Sequence, residues 1–220
     1  MTISIKNLSL NFQNKKILKN VSFEIKKNTL TSLLGPNGSG KSSILKCITG
    51  EIDTYSGKIT NIPIEKIAYL PQELETPPFI TVKELVSLGF YNRKISKINK
   101  DKIIEKLIHD CGIDSIKNQI FENISSGEKQ RTWIAFILAQ SKNIILMDEP
   151  FSSIDTNSKT EFYKLFKNLA DKGNTIILIS HDIKIISEFS EQAIFIQNGV
   201  KIFDGDAKEI QLAIKNSEII

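Results

Sequence analysis

The sequence predicts an α/β fold in which helices pack against a parallel β-sheet. Two observations predict it: apolar strand segments alternate with segments of helical periodicity, and one strand runs through a glycine-rich turn directly into a helix. A chain of 220 residues with 40% hydrophobic content can bury such a core without disulfides or structural metals. Cys47 and Cys111 lie in apolar helical contexts without metal-ligand spacing, which favours small core residues in a reducing compartment.

The first thirty residues predict a small, largely antiparallel sheet. Ile3 and Ile5 begin an alternation with polar residues that Val21, Phe23 and Ile25 repeat. An apolar residue at every second position is typical of a strand with one solvent-exposed face.

Charge and hydropathy exclude some functions. The formal net charge of +4 comes largely from lysine and favours a solvated face over a nucleic-acid patch, so we expect no nucleic-acid partner. The start of the chain lacks the charged and apolar regions of a signal peptide, and its apolar runs fall far short of the ~20 residues that span a membrane. We therefore expect a soluble chain.

A glycine-rich loop follows the apolar strand 29–34 and precedes a helix from Lys41 to about Thr49. The loop and the first helical turn contain Gly35, Pro36, Asn37, Gly38, Ser39, Gly40, Lys41, Ser42 and Ser43. Residues 35–42 fit the phosphate-loop pattern GxxxxGK[ST], in which backbone N–H groups face phosphates, Lys41 neutralises β/γ oxygens and Ser42 offers its hydroxyl to Mg²⁺. The sequence thus predicts an ATP site on a P-loop NTPase (RecA-like) core.

The middle third of the chain, residues 73–141, predicts an inserted helical subdomain. Thr81 and Glu84 have the spacing of a capping box, and apolar residues between 103 and 111 recur at the helical period. Strand and helix segments alternate again after residue 142. We therefore predict one domain over 1–220, with the antiparallel subdomain at 1–30, the parallel-sheet core at 31–72 and 142–220, and the helical subdomain between them.

An apolar strand over 144–147 ends in two adjacent acids, Asp148 and Glu149. At the carboxyl end of a parallel strand beside a phosphate loop, Asp148 can hold the hydration shell of Mg²⁺ and Glu149 can orient or deprotonate the attacking water. Alone, this pair would more often be a solvated strand end. The phosphate loop and the motifs that follow it in order favour the catalytic interpretation.

Four further segments resemble the motifs of the ABC ATPases, the nucleotide-binding subunits of ABC transporters. The run 124–131 resembles the signature sequence, Gln72 matches the Q-loop glutamine, residues 152–155 match the D-loop, and His181 matches the switch histidine. The resemblance implies ATP hydrolysis with Glu149, His181 and Gln72 as catalytic residues. It further implies that Gln72 contributes to the Mg²⁺ site with Ser42 and Asp148, partly through water, and that Asp155 communicates across a dimer.

The signature has a physical reading of its own. Ser125 and Glu128 form a second capping box, so a helix begins there with unpaired N–H groups and a partial positive charge. In the family, the anion at this helix end is the γ-phosphate of ATP on a second copy, so Ser125, Ser126, Gly127 and Glu128 contact that ATP in a head-to-tail homodimer. Ser126 replaces the usual first glycine and adds a Cβ where the backbone approaches phosphate.

Phe12 matches the family position whose aromatic ring stacks on adenine. A core phenylalanine is the alternative interpretation.

The resemblance also suggests what the protein transports. Residues 148–151, with Phe after the proline, look most like the ATPases of zinc and manganese importers, and residues 81–89 are similar both to these and to iron-siderophore and haem importers. It implies a peripheral position at the cytoplasmic face of the inner or plasma membrane, a separate integral permease and a substrate-binding protein. Residues 73–80 would dock the permease or form an ordinary connecting loop. A soluble non-transport ABC ATPase, such as an iron–sulfur assembly factor, is the alternative.

Overall fold

The computed structural model describes residues 2–13, 15–60, 62–91 and 93–216, over which the chain forms nine strands, seven α-helices and four short 3-10 helices. The strands are β1 (Ile3–Phe12), β2 (Lys15–Ile25), β3 (Leu30–Leu34), β4 (Ser56–Ile59), β5 (Ile67–Leu70), β6 (Ile144–Asp148), β7 (Thr175–Ile179), β8 (Gln192–Gln197) and β9 (Val200–Asp206). The helices are α1 (Lys41–Thr49), α2 (Val82–Leu88), α3 (Lys97–Asp110), α4 (Ser126–Ala139), α5 (Thr156–Asp171), α6 (Ile183–Phe189) and α7 (Ile210–Asn216). In this part of the chain, no helix has the length and apolar character that crossing a membrane requires.

The larger sheet has the strand order β5-β6-β7-β3-β8-β9 and is parallel except for β9, which pairs antiparallel with β8. Asn198 and Gly199 form the turn between β8 and β9, and this residue pair is typical of hairpin turns. Along β6, Ile145 and Met147 belong to one hydrophobic cluster and Leu146 to another. Both faces of the sheet are therefore buried, as expected for parallel strands connected by helices.

The smaller sheet has the strand order β2-β1-β4 and is antiparallel, as predicted for the N-terminal segment. Strand β4 corrects the predicted boundary, because it lies within 31–72, the range predicted for the parallel-sheet core, and pairs with β1 instead. Ile5 pairs with Ile59, and Ser9 with Ser56. The strand has four residues, three of them exposed, so it lacks the apolar alternation that would predict it. Residues 217–220 of the predicted core lie outside the described residues.

The predicted helical segment contains α2, α3 and α4. Both predicted capping boxes form: Thr81 caps α2 with Glu84, and Ser125 caps α4 with Glu128. Trp133 lies between two other aromatic rings, with its centroid 5.4 Å from Phe121 and 5.5 Å from Phe136, both edge-on. The contact with Phe121 packs α4 against the segment that precedes it. Ser126 in the first turn of α4 lines a pocket together with Asp148 and Glu149 at the end of β6.

Candidate functional site

The sheet topology brings most of the predicted site residues to one edge. Because neighbouring parallel strands end together, the loop after β3, the acids at the end of β6 and His181 after β7 meet at this edge. Asp148 pairs with Ile179, two residues before His181. Gln72 follows β5, which pairs with β6. The carboxyl edge of the sheet therefore carries the phosphate loop, both acids, the glutamine and the histidine.

The phosphate loop lies tightly against β8 and lines a pocket of about 430 Å³. A Cβ on Gly35 would lie 1.9 Å from the carbonyl oxygen of Ile196, so only glycine fits there. Lys41 is 5% exposed and donates to the carbonyls of Gly35 at 2.8 Å and Pro36 at 2.9 Å. Burial lowers the pKa of Lys41, an effect that the negative charges of Glu149 and Asp148 oppose. The pocket is lined by Lys15, Ile17, Asn37, Gly38, Ser39, Gly40, Lys41, Ser42, Ser43, Gln72 and Glu149.

Glu149 is held by the other two predicted catalytic residues. Its Oε1 lies 2.8 Å from Nε2 of His181, and its Oε2 accepts from Nε2 of Gln72 at 3.3 Å. Glu149 also has a φ of 50°, in the left-handed region that costs a residue with a Cβ roughly 1–2 kcal/mol. Such backbone strain is often found at functional sites. A fixed carboxylate next to the phosphate loop can orient a water molecule and accept its proton.

Asp148 and Ser42 fit a magnesium site. Asp148 is 3% exposed, and within the described residues its Oδ1 has no hydrogen-bond partner. Burial raises the pKa of Asp148, whereas the Ser42 hydroxyl beside it opposes that shift. A buried carboxylate oxygen without a partner is costly unless a donor or a cation meets it, and carboxylate and hydroxyl oxygens are ligands that Mg²⁺ prefers.

The signature residues begin α4 outside the phosphate-loop pocket, although Ser126 lines an adjoining pocket with Gln72 and Glu149. Ser125 donates to Oε2 of Glu128 from its hydroxyl at 2.6 Å and from its backbone N–H at 2.8 Å. These bonds lower the pKa of Glu128, which therefore stays ionised. Ser126 is exposed, and Gly127 is packed so closely that a Cβ would lie 2.9 Å from the carbonyl oxygen of Ser153. None of these four residues lines the phosphate-loop pocket among the residues described.

Two residues that sequence reasoning left without a role connect the signature to the D-loop. Gln130 donates to the hydroxyl of Ser152 and accepts from the backbone N–H of Ser153 at 2.8 Å. Arg131 donates to Oδ2 of Asp155 at 3.3 Å. The helical spacing is the signal that could have found Gln130, because residues three apart share a helix face and Gln130 lies three residues after Gly127.

Phe12 lies at the end of β1 and is 67% exposed, so the core alternative is wrong. It does not line the phosphate-loop pocket, but Lys15 and Ile17 from the next strand do. Phe12 pairs with Lys15 across the hairpin. Its ring is therefore free to contact a ligand near the pocket, and adenine stacking stays a prediction.

Comparison with known proteins agrees with this geometry. A family model described as ABC transporter matches residues 18–152. The chain belongs to the ABC transporter family. Two relatives of the cassette are the zinc import ATP-binding protein ZnuC of Rickettsia conorii and the iron(3+)-hydroxamate import ATP-binding protein FhuC of Bacillus subtilis. The first is 36% identical over 94% of this chain and 88% of its own. The second is 31% identical over 95% of this chain and 84% of its own.

A solved structure extends the comparison from sequence to fold. The dimeric structure of a bacterial ABC transporter cassette has a TM-score of 0.84 and 26% identity, and the match covers 93% of this chain and 98% of that one. The predicted family and fold class are thus confirmed. The assignment of individual site residues to ATP stays a prediction, supported by where they lie in the cassette.

Proposed function

We propose that this cassette is the ATP-hydrolysing subunit of an importer for a metal cation or metal chelate, and that it energises a separate membrane permease. One observation carries the ATPase part: Glu149 lies beside the phosphate-loop pocket with each carboxylate oxygen held by a predicted catalytic partner. The zinc and iron-chelate import relatives support the substrate class. They do not favour the alternative of a soluble iron–sulfur assembly ATPase.

The hydrolytic step follows from this geometry. Water attacks the γ-phosphorus of ATP, the bond to the β,γ-bridging oxygen breaks, and ADP and inorganic phosphate are formed. Glu149 accepts a proton from the water, while His181 and Gln72 keep the carboxylate aimed. Lys41 exchanges its contacts with the loop carbonyls for the β- and γ-phosphate oxygens, and the N–H groups of the loop stabilise their charge.

Mg²⁺ would be held by Ser42 and Asp148, with Gln72 contributing partly through water. When bound, it would neutralise charge on the phosphate oxygens. We expect Ser42→Ala to raise the Mg²⁺ concentration that gives half-maximal ATPase activity about tenfold, because one oxygen ligand is lost. A Mg²⁺ titration of the activity measures this, with Ser187→Ala on α6, away from the phosphate-loop pocket, as the control. An unchanged half-maximal concentration would contradict a role for Ser42 in the metal site.

A head-to-tail homodimer explains why the signature is separate from the phosphate-loop pocket. Residues 125–128 do not line that pocket in the described part of the chain. The first turn of α4 nevertheless presents N–H groups that cannot find a partner within the helix, and a helix end of this kind favours an anion. ATP bound to a second copy would supply that anion, and each of the two nucleotides would then lie between a phosphate loop and the partner's signature.

The permease would dock at residues 73–80. Phe79 is 89% exposed and has a left-handed φ of 60°, and Leu74 in the same segment is also exposed. Exposed apolar side chains within one segment are common at protein-interaction sites. The segment follows Gln72 directly, so a permease bound there would act on a residue that contacts Glu149.

Co-purification with the permease and metal uptake test this function together. We expect the cassette to co-purify with an integral membrane permease, and its deletion to impair uptake of Zn²⁺, Mn²⁺ or chelated iron. Phe79→Glu should abolish both co-purification and uptake while leaving ATP hydrolysis within about twofold of wild type, since a charge in an interface is costly. Ile64→Glu, at an equally apolar exposed position on the core, is the control.

The negative outcomes are distinct. A cassette that hydrolyses ATP but co-purifies only with soluble proteins would support the iron–sulfur alternative. A deletion strain with normal metal uptake and defective uptake of an oxyanion would contradict the metal assignment and leave the transport assignment intact.

A further inference from the structure

We infer that Gln130 is a positioning residue that fixes the D-loop, residues 152–155, to the first turns of the signature helix in the same chain. The side-chain amide of Gln130 makes two hydrogen bonds: Nε2 donates to the hydroxyl of Ser152, and Oε1 accepts from the backbone N–H of Ser153 at 2.8 Å. An amide with one donor and one acceptor partner has a single favourable orientation. Gln130 therefore holds two consecutive D-loop residues in one geometry.

The backbone of α4 at Gly127 also packs closely against the D-loop. Gly127 lies one turn earlier on the same face of α4, and a Cβ there would be 2.9 Å from the carbonyl oxygen of Ser153. The D-loop thus lies directly on the helix, with no room for a side chain at this point. Ser153 has its N–H bound by Gln130 and its carbonyl packed against Gly127.

A second connection continues along the D-loop. Arg131 donates to Oδ2 of Asp155 and to the hydroxyl of Ser158, and the other carboxylate oxygen of Asp155 accepts from the backbone N–H of Ser158 at 3.0 Å to cap α5. The Asp155 side chain is 62% exposed, and an exposed ion pair contributes little by itself. Gln130, which binds a backbone N–H, is the stronger connection.

The connection between Gln130 and the D-loop matters because Glu149 lies just before the D-loop in the chain. Only Pro150 and Phe151 separate Glu149 from Ser152, and both are buried. The Phe151 ring packs against Phe162 with the centroids 5.9 Å apart. A movement of α4 would therefore be transmitted through Gln130 and the D-loop to Glu149. Since Ser125 begins the same helix, contact with the partner's nucleotide and the aim of the carboxylate would be linked within one chain.

The inference rests on the proposed function, because a positioning role is measured through hydrolysis. We expect Gln130→Ala in the full-length cassette to lower kcat for ATP about tenfold, the size expected for two lost hydrogen bonds. The KM for ATP should stay within about twofold, because Gln130 does not line the phosphate-loop pocket. Gln130→Glu should recover most of the loss, since a carboxylate accepts from both the Ser153 N–H and the Ser152 hydroxyl.

Matched variants separate positioning from folding. Gln140→Ala, at the other end of α4, should leave kcat unchanged. Ser152→Ala should lower kcat less than Gln130→Ala does, and the double variant should match Gln130→Ala because the two residues act through one contact. Thermal unfolding of each variant checks that the cassette stays folded.

Two results would overturn the inference: a wild-type kcat in Gln130→Ala, or a fall in kcat that Gln130→Glu fails to rescue and that follows a lower unfolding temperature. A wild-type cassette without ATPase activity would instead overturn the proposed function, and the two failures are therefore distinguishable.

Discussion

Glu149→Gln is expected to abolish turnover and to stabilise an ATP-bound dimer. The amide keeps the size of the side chain but cannot accept a proton from water, and general-base catalysis contributes about 10²- to 10⁴-fold. The removed negative charge also lies beside the phosphate-loop pocket, so ATP binding should persist or strengthen. Steady-state phosphate release measures turnover, and light scattering with and without ATP measures the dimer.

Glu188→Gln is the control for this variant. Glu188 is an exposed carboxylate on α6, outside the site, and its amide variant should hydrolyse ATP like the wild type. Hydrolysis at the wild-type rate in Glu149→Gln would refute the assignment of Glu149 as the base. If turnover is lost but no ATP-dependent dimer forms, Glu149 remains assigned as the base, and the head-to-tail homodimer with ATP between its two copies is contradicted.

Ser125→Arg is expected to prevent ATP-dependent dimerisation without affecting ATP binding to the monomer. The substitution removes the cap that Ser125 gives to α4, and its long side chain fills the space in which the N–H groups of the first turn would meet an anion. Because residues 125–128 do not line the chain's own phosphate-loop pocket, the affinity of the monomer for ATP should change by less than about twofold. Size-exclusion chromatography with ATP, in the Glu149→Gln background, measures dimerisation separately from ATP binding by the monomer.

Ser96→Arg provides a matched control. Ser96 also caps a helix through its side chain, at the start of α3, and is likewise exposed. The same substitution there should destabilise the helix end by a similar amount and leave the dimer intact. If both variants lose the dimer equally, the effect comes from the lost helix cap, and the signature would not be part of the dimer interface.

The sequence predicted those parts of the site that depend on local order along the chain. A strand, a glycine loop and a helix in succession identify the phosphate loop, and the spacing of Ser125 and Glu128 predicts a helix start that the structure contains. Parallel strand topology then accounts for the meeting of the phosphate loop with Glu149 and His181. Each of these signals is a pattern over a few neighbouring residues.

What the sequence did not predict depends on tertiary contact. Strand β4 consists of mostly exposed residues without apolar alternation, and only its pairing with β1 defines it. The left-handed φ of Glu149 comes from the packed turn after β6, since nothing in glutamate favours that region. The contact of Gln130 with Ser152 and Ser153 joins residues more than twenty positions apart. Helical spacing could have placed Gln130 on the same face as Gly127, but neither propensity nor spacing could have revealed its D-loop partners, strand β4 or the φ of Glu149.

The central claim, a nucleotide site completed by a second copy, is tested most directly by mixing two inactive variants. Lys41→Ala damages the phosphate loop and keeps the signature, whereas Ser125→Arg does the reverse. A mixed dimer contains one intact site, so an equimolar mixture should regain ATPase activity: about a quarter of the wild-type value if the chains pair at random, and about a half if only mixed dimers form. A mixture as inactive as either variant alone would contradict the account.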